Sequence, residues 1–186
     1  CPSGDRQWKE RHGASWTEED VERLYEKFEG ILYQMVAEYS VPIPGVVETV
    51  RQLREEGVKI GSTTGYTSQM MGQVLPRAAE LGYDALSLTV NRPGELDAAY
   101  VRRVLGEYGL TASGLATGRI YTVDGLGLGL ADQERRQAAV DRMLSHAELC
   151  AQLGGAKLIV GAIRGWTRDA GGREAYEPLF RSSMES

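Results

Sequence analysis

The fold is decided by residues 58–71, which read VKIGSTTGYTSQMM. Val58 and Ile60 alternate with smaller residues and predict a short strand. The hydroxyl-rich turn that follows leads into a helix, whose first backbone N–H groups are unpaired and often hold phosphate. The same sequence is equally compatible with an ordinary loop in which Thr67 or Ser68 caps the helix. The rest of the chain has to decide between an anion site and a plain connection.

The segment before this strand predicts two helices. Apolar residues recur at helical spacing from Thr17 to Tyr39, and Thr17 stands before three acidic residues that favour a helix start. Pro42 and Pro44 end this long amphipathic helix. A second helix is expected over residues 45–57, between two glycines.

After Val58 the apolar pattern alternates regularly between strands and helices. Strands are predicted near Val58–Ser62, Ala85–Val90, Ala112–Thr117 and Lys157–Ile163, and helices near Ser68–Leu81, Leu96–Tyr108 and Asp132–Leu153. Gly82, Gly109 and Gly154 each fall where a helix should end. Pro76 is expected to kink the helix that contains it. The pattern predicts an α/β fold with a parallel sheet of about four βα units, either an open Rossmann-like sheet or half a TIM barrel, preceded by the long helix.

Three segments follow from this organisation. Residues 1–44 form a helical segment, residues 45–166 form the α/β domain, and residues 167–186 form a polar tail with a short possible helix from Glu174 to Phe180. The chain starts at Cys1 and not at Met, from which we expect an excised or processed fragment.

Composition narrows the classes of function. The 186 residues carry a formal charge of −5 and no cluster of Lys or Arg, so a nucleic-acid groove or an anionic membrane surface is not expected. No apolar run is long enough to span a membrane. The two cysteines, Cys1 and Cys150, are too few for a disulfide framework and favour a cytoplasmic protein, with Cys150 as a small core residue.

The carboxyl ends of parallel strands share one edge, where α/β proteins bind their ligands. Arginines follow three of the four predicted strands and would make this edge positive in an acidic protein, which favours a phosphorylated or carboxylated small molecule. Alternatively, the arginines pair with Glu95, Asp97 and Asp124 on the same loops as surface ion pairs. The candidate binding residues are Thr63, Thr64, Gly65, Tyr66, Arg92, Arg119 and Arg164.

Other groups of residues predict neither a cofactor or metal site nor a catalytic nucleophile. Residues 124–130, DGLGLGL, do not form the glycine fingerprint of a dinucleotide site. His12 and His146 are far apart in sequence. His146 stands at helical spacing with Met143 and Cys150 and is expected to be a packed or half-exposed helix residue, so no metal site is expected from spacing. No nucleophile elbow brings Ser, His and Asp together, and catalytic residues remain unknown.

Residues from about 6 to 83 resemble the phosphonoacetaldehyde hydrolases of the haloacid dehalogenase superfamily. The resemblance rests on WTEEDVERLYEKFE, IPGVVETVRQLREEGVKIGSTTGYT and AAELGY. It implies that Thr64 is a phosphate-binding hydroxyl and that Gly65 and Tyr66 line the pocket. It also implies Mg²⁺, an aspartate nucleophile and a Schiff-base lysine, but neither residue can be placed in this chain, and no acidic metal-binding segment follows Tyr83.

Residues from about 81 to 166 resemble a second family, the sugar phosphate isomerases and epimerases with a xylose isomerase-like TIM barrel. LGYDALSLTVNRPGELDAAYVRRVL, GLTASGLATGRIYTVDGLGL and AELCAQLGGAKLIVGAIRG carry this resemblance. It implies a divalent metal held by residues of later strands. It also implies that Arg119, Asp124 and Arg164 are at most loop residues on the substrate side.

The two resemblances meet near Gly82 and Tyr83, where a helix ends and a parallel strand begins as both families require. We interpret the chain as a mosaic, chimeric or truncated, with a residual phosphate site and no competent catalysis of its own. Two alternatives stay open. The chain could be an isomerase or epimerase that works as a homo-oligomer, or a self-associating structural protein without enzymatic activity.

Overall fold

A computed structural model of the chain describes residues 11–13, 17–63, 68–117 and 119–186. The chain divides into two compact units, one comprising Cys1–Val47 with Tyr66–Arg77 and the other Glu48–Gly65 with Ala78–Ser186. In the part of the chain that is described, no helix is long and apolar enough to cross a membrane.

The first unit contains the predicted long helix, α1, which runs over Glu18–Tyr39. Thr17 caps it, because Thr17 Oγ1 accepts a hydrogen bond from Asp20 N at 3.1 Å and Asp20 Oδ2 accepts one from Thr17 N at 3.1 Å. Val21 and Val36 are buried, whereas Ile31, between them in sequence, is 58% exposed. The helix therefore has a packed face and an exposed apolar face.

Along the chain, one helix precedes the first strand and another follows it. Helix α2 spans Val46–Glu55 and helix α3 spans Ser68–Glu80. Helix α3 continues through Pro76. Between them, strand β1 covers Gly61–Thr63. The predicted strand, Val58–Ser62, therefore starts three residues too early.

The second unit is built on a four-stranded sheet in the order β1-β2-β3-β4, and every neighbouring pair is parallel. This confirms the predicted α/β fold with a parallel sheet after a long helix. Its other elements are strands β2 (Ala85–Thr89), β3 (Thr111–Ala116) and β4 (Lys157–Ile159), and helices α4 (Ala98–Glu107), α5 (Gln133–Gln152) and α6 (Arg173–Glu185). Short helical turns cover Pro93–Glu95, Ile120–Asp124, Ala162–Arg164 and Thr167–Ala170.

The main core lies between the sheet and helices α4 and α5. Leu115 from β3 is fully buried against Ala98 of α4 and Leu149 and Cys150 of α5. Burial raises the pKa of the Cys150 thiol, as expected for a packed cysteine. Both helices therefore cover the same face of the sheet.

Strand β1 is joined to β2 by the carboxylate of Asp84. Asp84 Oδ2 accepts a hydrogen bond from Ile60 N at 2.8 Å, and Asp84 N donates to Ile60 O at 2.7 Å. Two cations reach the same carboxylate, Arg54 Nη1 at 3.1 Å and Lys59 Nζ at 3.2 Å. The backbone hydrogen bond from Ile60 is the main reason that the pKa of Asp84 lies below its ordinary value.

Helix α6 is longer than the predicted Glu174–Phe180 and packs against the core. Phe180 contacts the cluster around Ile120 and Ile163, and Ser183 Oγ donates to Leu128 O at 2.8 Å. Gly129 makes room for Tyr176, because a Cβ atom at residue 129 would overlap the tyrosine ring. The helix thus depends on a glycine in the loop beneath it.

We predict that Asp84→Asn lowers the free energy of unfolding at pH 7. The folded pKa of Asp84 lies below the ordinary value of 3.8, so the stability it contributes is fully present above that value and is lost as the pH falls through the folded pKa. The difference between wild type and variant in urea unfolding should therefore shrink below pH 3.8. The control is Asp141→Asn, which alters a carboxylate that accepts only a neutral hydrogen bond from Gln137 Nε2 among the contacts resolved, at 3.0 Å. Equal effects of the two variants at pH 7 would contradict the role of Asp84.

We further predict that Gly129→Ala destabilises the protein by about 1–3 kcal/mol, because the new methyl group displaces the Tyr176 ring. That ring stacks on Phe180 at 5.6 Å between centroids, and its hydroxyl donates to Arg164 O at 2.9 Å, so it is not free to move aside. Gly106→Ala on α4 is the matched control, since nothing lies within 4 Å of its new Cβ. It should leave the stability unchanged or raise it by up to about 1 kcal/mol. Thermal unfolding of both variants measures the difference.

Candidate anion-binding site

The candidate site is the edge of the sheet at which all four parallel strands end. Thr63 closes β1 at this edge and is exposed. Thr64, Gly65 and Tyr66, the other predicted binding residues of this turn, lie outside the described residues. The structure therefore supports the position of Thr63, while the anion-binding turn itself stays a prediction.

The three arginines follow the other strand ends, as the sequence predicts. Arg92 comes after β2, Arg119 after β3 and Arg164 after β4, and all three are exposed. Because these strands are parallel neighbours, the loops that carry the arginines lie along one edge. The structure brings Thr63 and the arginines to this same edge.

The contacts of the arginines are local. Arg92 Nη1 lies 3.4 Å from Glu95 Oε1 in an ion pair whose side chains are 60% and 71% exposed. Arg164 Nε donates to Gly161 O at 3.2 Å. Within the ranges that the structure describes, no carboxylate lies within ion-pair distance of Arg119 or Arg164. An exposed pair such as that of Arg92 is weak, so an anion can replace it.

Among the described residues, the alternative interpretation, in which loop carboxylates neutralise the arginines, therefore applies to Arg92 and Glu95 alone. Asp97 instead caps helix α4, accepting a hydrogen bond from Tyr100 N at 3.0 Å. Asp124 pairs with Arg142 of helix α5, whose Nη1 lies 3.0 Å from Asp124 Oδ2.

Arg142 and His146 fix the loop that carries Arg92. Arg142 Nη1 also donates to Asn91 O at 2.7 Å. His146 is fully buried, with Nε2 at 2.8 Å from Val90 O and Nδ1 at 2.7 Å from Arg142 O. His146 is therefore packed, which is one of the two placements expected for it, packed or half-exposed. The two side chains tie the end of β2 to helix α5.

Thr117 fixes the other two loops. Its side chain is fully buried, and Oγ1 donates to Ile159 O at 3.0 Å while accepting from Gly161 N at 3.2 Å. One hydroxyl therefore joins the residue after β3 to the end of β4. The loops with Arg119 and Arg164 start from this joined point.

A second polar cluster consists of Tyr121, in the turn that follows β3, together with Trp166 and Asp169. The hydroxyl of Tyr121 donates to Asp169 Oδ2 at 2.5 Å, and Trp166 N donates to the same oxygen at 3.0 Å. The hydrogen bond to the carboxylate, followed by burial, raises the pKa of Tyr121. Asp169 thus ties the turn after Arg119 to the segment after Arg164.

Sequence reasoning missed Arg142, Thr117, Tyr121 and Asp169. Arg142 stands four residues before His146, a spacing that places both on one face of a helix and could have indicated their common role. The other three contacts join residues far apart in sequence, and no local pattern marks them.

The described side chains do not form a divalent-metal site. Within residues 11–13, 17–63, 68–117 and 119–186, no three His, Cys, Asp or Glu side chains are close enough to hold a metal ion. The Mg²⁺ and the divalent metal implied by the two resemblances therefore find no complete ligand set here, and no reaction step is assigned to a metal. The glycines of residues 124–130 serve packing, since Cβ atoms at Gly127 and Gly129 would meet Tyr121 and Tyr176.

Comparison with known proteins confirms both resemblances. The chain is 53% identical over 76 residues to a bifunctional phosphonoacetaldehyde hydrolase/aminoethylphosphonate transaminase of Clostridioides difficile, covering 41% of this chain and 12% of the relative. It is 51% identical over 82 residues to a phosphonoacetaldehyde hydrolase of Bacteroides fragilis, and 49% identical over 82 residues to one of Bacillus mycoides. Each of these two matches covers 44% of this chain and 31% of the relative, so the chain spans less than a third of the length of these curated relatives.

The family described as a xylose isomerase-like TIM barrel matches residues 75–186, which is more than half of the chain. The match includes strands β2 to β4 and the arginine-bearing loops described above. It also includes helix α6, which packs against the core that these loops share. The chain belongs to the xylose isomerase-like TIM barrel family.

Proposed function

We propose that this chain binds a phosphorylated or carboxylated small molecule at the carboxyl ends of its strands, and that by itself it does not cleave a carbon–phosphorus bond. The proposal treats the chain as a chimeric or truncated protein with a residual phosphate site. Its location would be the cytoplasm, in keeping with the free and buried Cys150.

The placement of the three arginines carries the proposal. Arg92, Arg119 and Arg164 follow three neighbouring parallel strands, although the chain as a whole has a formal charge of −5. Guanidinium groups bind phosphate and carboxylate oxygens through two parallel hydrogen bonds. The supporting hydrogen bonds of Arg142, His146 and Thr117 hold the loops in place, which lowers the entropy lost on binding.

The hydrolase relatives add a second argument for an anion. Their names state that they act on phosphonoacetaldehyde, a phosphonate. By resemblance, Thr64 would supply a phosphate-binding hydroxyl next to Thr63. The same resemblance leaves the nucleophilic aspartate and the Schiff-base lysine without counterparts in this chain, so binding and not hydrolysis is proposed.

The test uses inorganic phosphate and glycerol 3-phosphate as probes, titrated by calorimetry at low ionic strength. Arg119→Gln and Arg164→Gln should each weaken binding about ten- to a hundredfold, since a charge-assisted hydrogen bond contributes about 1.5–3 kcal/mol. Arg103→Gln is the matched control. It removes an exposed arginine of helix α4 that pairs with Glu107 at 2.7 Å, away from the strand ends, and should leave binding unchanged.

Binding that is unaffected by the Arg119 and Arg164 variants, or equally affected by the Arg103 variant, would contradict the proposed site. Release of phosphate from phosphonoacetaldehyde at an enzymatic rate, with Mg²⁺ added, would contradict the absence of hydrolysis. The two outcomes are independent, because the first concerns the site and the second its chemistry.

Membership of the barrel family supports a second candidate, a sugar phosphate isomerase or epimerase active as an oligomer. The missing metal ligands would then come from another subunit. Interconversion of a sugar phosphate by the oligomer, followed by NMR with and without added Mn²⁺, would favour it. Phosphate binding without conversion of a sugar phosphate would favour the first candidate over the second.

A further inference from the structure

Arg164 is held at its backbone and at the start of its guanidinium group. Its carbonyl accepts two hydrogen bonds, one from the hydroxyl of Tyr176 at 2.9 Å and one from Gly129 N at 3.2 Å. Its Nε donates to Gly161 O at 3.2 Å. Among the described residues, neither Nη nitrogen of Arg164 has a hydrogen-bond partner. The residue is therefore fixed everywhere except at the two nitrogens that would bind an anion.

The ring of Tyr176 is itself held by two contacts. It stacks on Phe180, with centroids 5.6 Å apart and ring planes 9° apart. It also lies against Gly129, where a Cβ atom would overlap it. Burial raises the pKa of Tyr176, and the charge of Arg164 is close enough to act in the opposite direction. The phenol is therefore protonated at neutral pH and able to donate, and its hydroxyl is aimed at Arg164 by the packing of helix α6.

The chain on either side of Arg164 follows a defined path. Gly165 has a φ of 74°, in the left-handed region that favours glycine, and its N–H donates to Ala162 O at 2.9 Å. On the other side, Ile163 O accepts a hydrogen bond from Leu128 N at 2.8 Å. The loop after β4 is therefore closed by backbone hydrogen bonds before and after the arginine.

Two hydroxyl groups of helix α6 donate to the loops that follow β3 and β4. Ser183 Oγ donates to Leu128 O at 2.8 Å, in the loop after β3. Tyr176 donates to the loop after β4, at the arginine itself. Both contacts dock the helix through a backbone carbonyl, but only the contact of Tyr176 is made to Arg164. Ser183 is therefore a natural comparison for a hydrogen bond that docks the helix without reaching the candidate site.

We propose that Tyr176 is a positioning residue of the anion site, which holds Arg164 through its carbonyl and thereby couples helix α6 to anion binding. The inference rests on the proposed function, since it concerns the same site. A fixed backbone limits the orientations of the guanidinium group and lowers the entropy lost when an anion binds. Coupling of this kind is reciprocal, so a bound anion in turn stabilises the docked helix.

Calorimetric titration of the full chain with inorganic phosphate, in a double-mutant cycle, tests this role. Tyr176→Phe removes the hydroxyl and keeps the ring, and should weaken phosphate binding about two- to tenfold, the range of one hydrogen bond between uncharged groups. In the Arg164→Gln background the same substitution should have no effect, because Tyr176 acts through Arg164. Ser183→Ala is the matched control. It removes the other hydroxyl contact of α6 and should leave the affinity for phosphate unchanged.

Amide hydrogen exchange of the unmodified chain gives a second reading that needs no variant. The amides of α6 should exchange more slowly when phosphate is present, because the bound anion stabilises the docked helix. The effect should disappear in Tyr176→Phe and persist in Ser183→Ala. Circular dichroism checks that each variant folds. Loss of docking alone would affect both variants, so the comparison separates a positioning role from a structural one.

An affinity that Arg164→Gln lowers and Tyr176→Phe does not would overturn this inference and leave the proposed function intact. Equal effects of Tyr176→Phe with and without the arginine would also overturn it, as would an equal loss in Ser183→Ala or exchange in α6 that phosphate does not slow. Phosphate that fails to bind the unmodified chain, or binds it independently of Arg164, would overturn the proposed function, and the role of Tyr176 with it.

Discussion

The carboxylate of Asp84 is the interaction on which the rest of the structure depends. It receives the backbone N–H of Ile60 and the cations of Arg54 and Lys59, while its own backbone pairs with Ile60. Asp84 O also accepts a hydrogen bond from Thr111 N at 3.1 Å, so a single residue joins the starts of β1, β2 and β3. These contacts lie beside Gly82 and Tyr83, where the two family resemblances meet. They join strands from segments that resemble different proteins into one sheet.

The candidate site follows from this sheet. Once the strands are parallel and in register, their carboxyl ends form one edge, and the loops with Arg92, Arg119 and Arg164 start from it. Thr117 joins two of these loops, and Arg142 with His146 holds the third. The positive edge is therefore a consequence of strand order and of a few buried hydrogen bonds.

Much of the fold was predictable from local patterns in the sequence. Apolar periodicity located the helices to within two residues at most ends, and Gly82, Gly109 and Gly154 do adopt the positive φ of a helix stop. Strand β1 was placed too early, because Val58 N pairs with Leu53 O to close the turn after α2, and Ile60 N is bound by Asp84. Strand β4 ends at Ile159 and not at Ile163, which lies in a helical turn of Ala162–Arg164.

The site was predictable only where strand ends define it. The positions of the arginines follow from the βαβ pattern, but the partner of Asp124 does not, since Arg142 reaches it from a helix later in the chain. The docking of α6 through Gly129 and Tyr176 is also invisible in sequence, because the contact joins residues that are distant along the chain. Long-range side-chain contacts of this kind have no periodic signature.

The central claim is that β1 and the barrel-like strands form one cooperative sheet held at Asp84. Native-state amide hydrogen exchange in dilute denaturant measures this directly. The account predicts that the amides of Ile60, Asp84 and Thr111 exchange only through the same global unfolding that exposes Leu115. Free exchange at Ile60, with Thr111 and Leu115 still protected, would show that the two segments fold separately and would contradict the account.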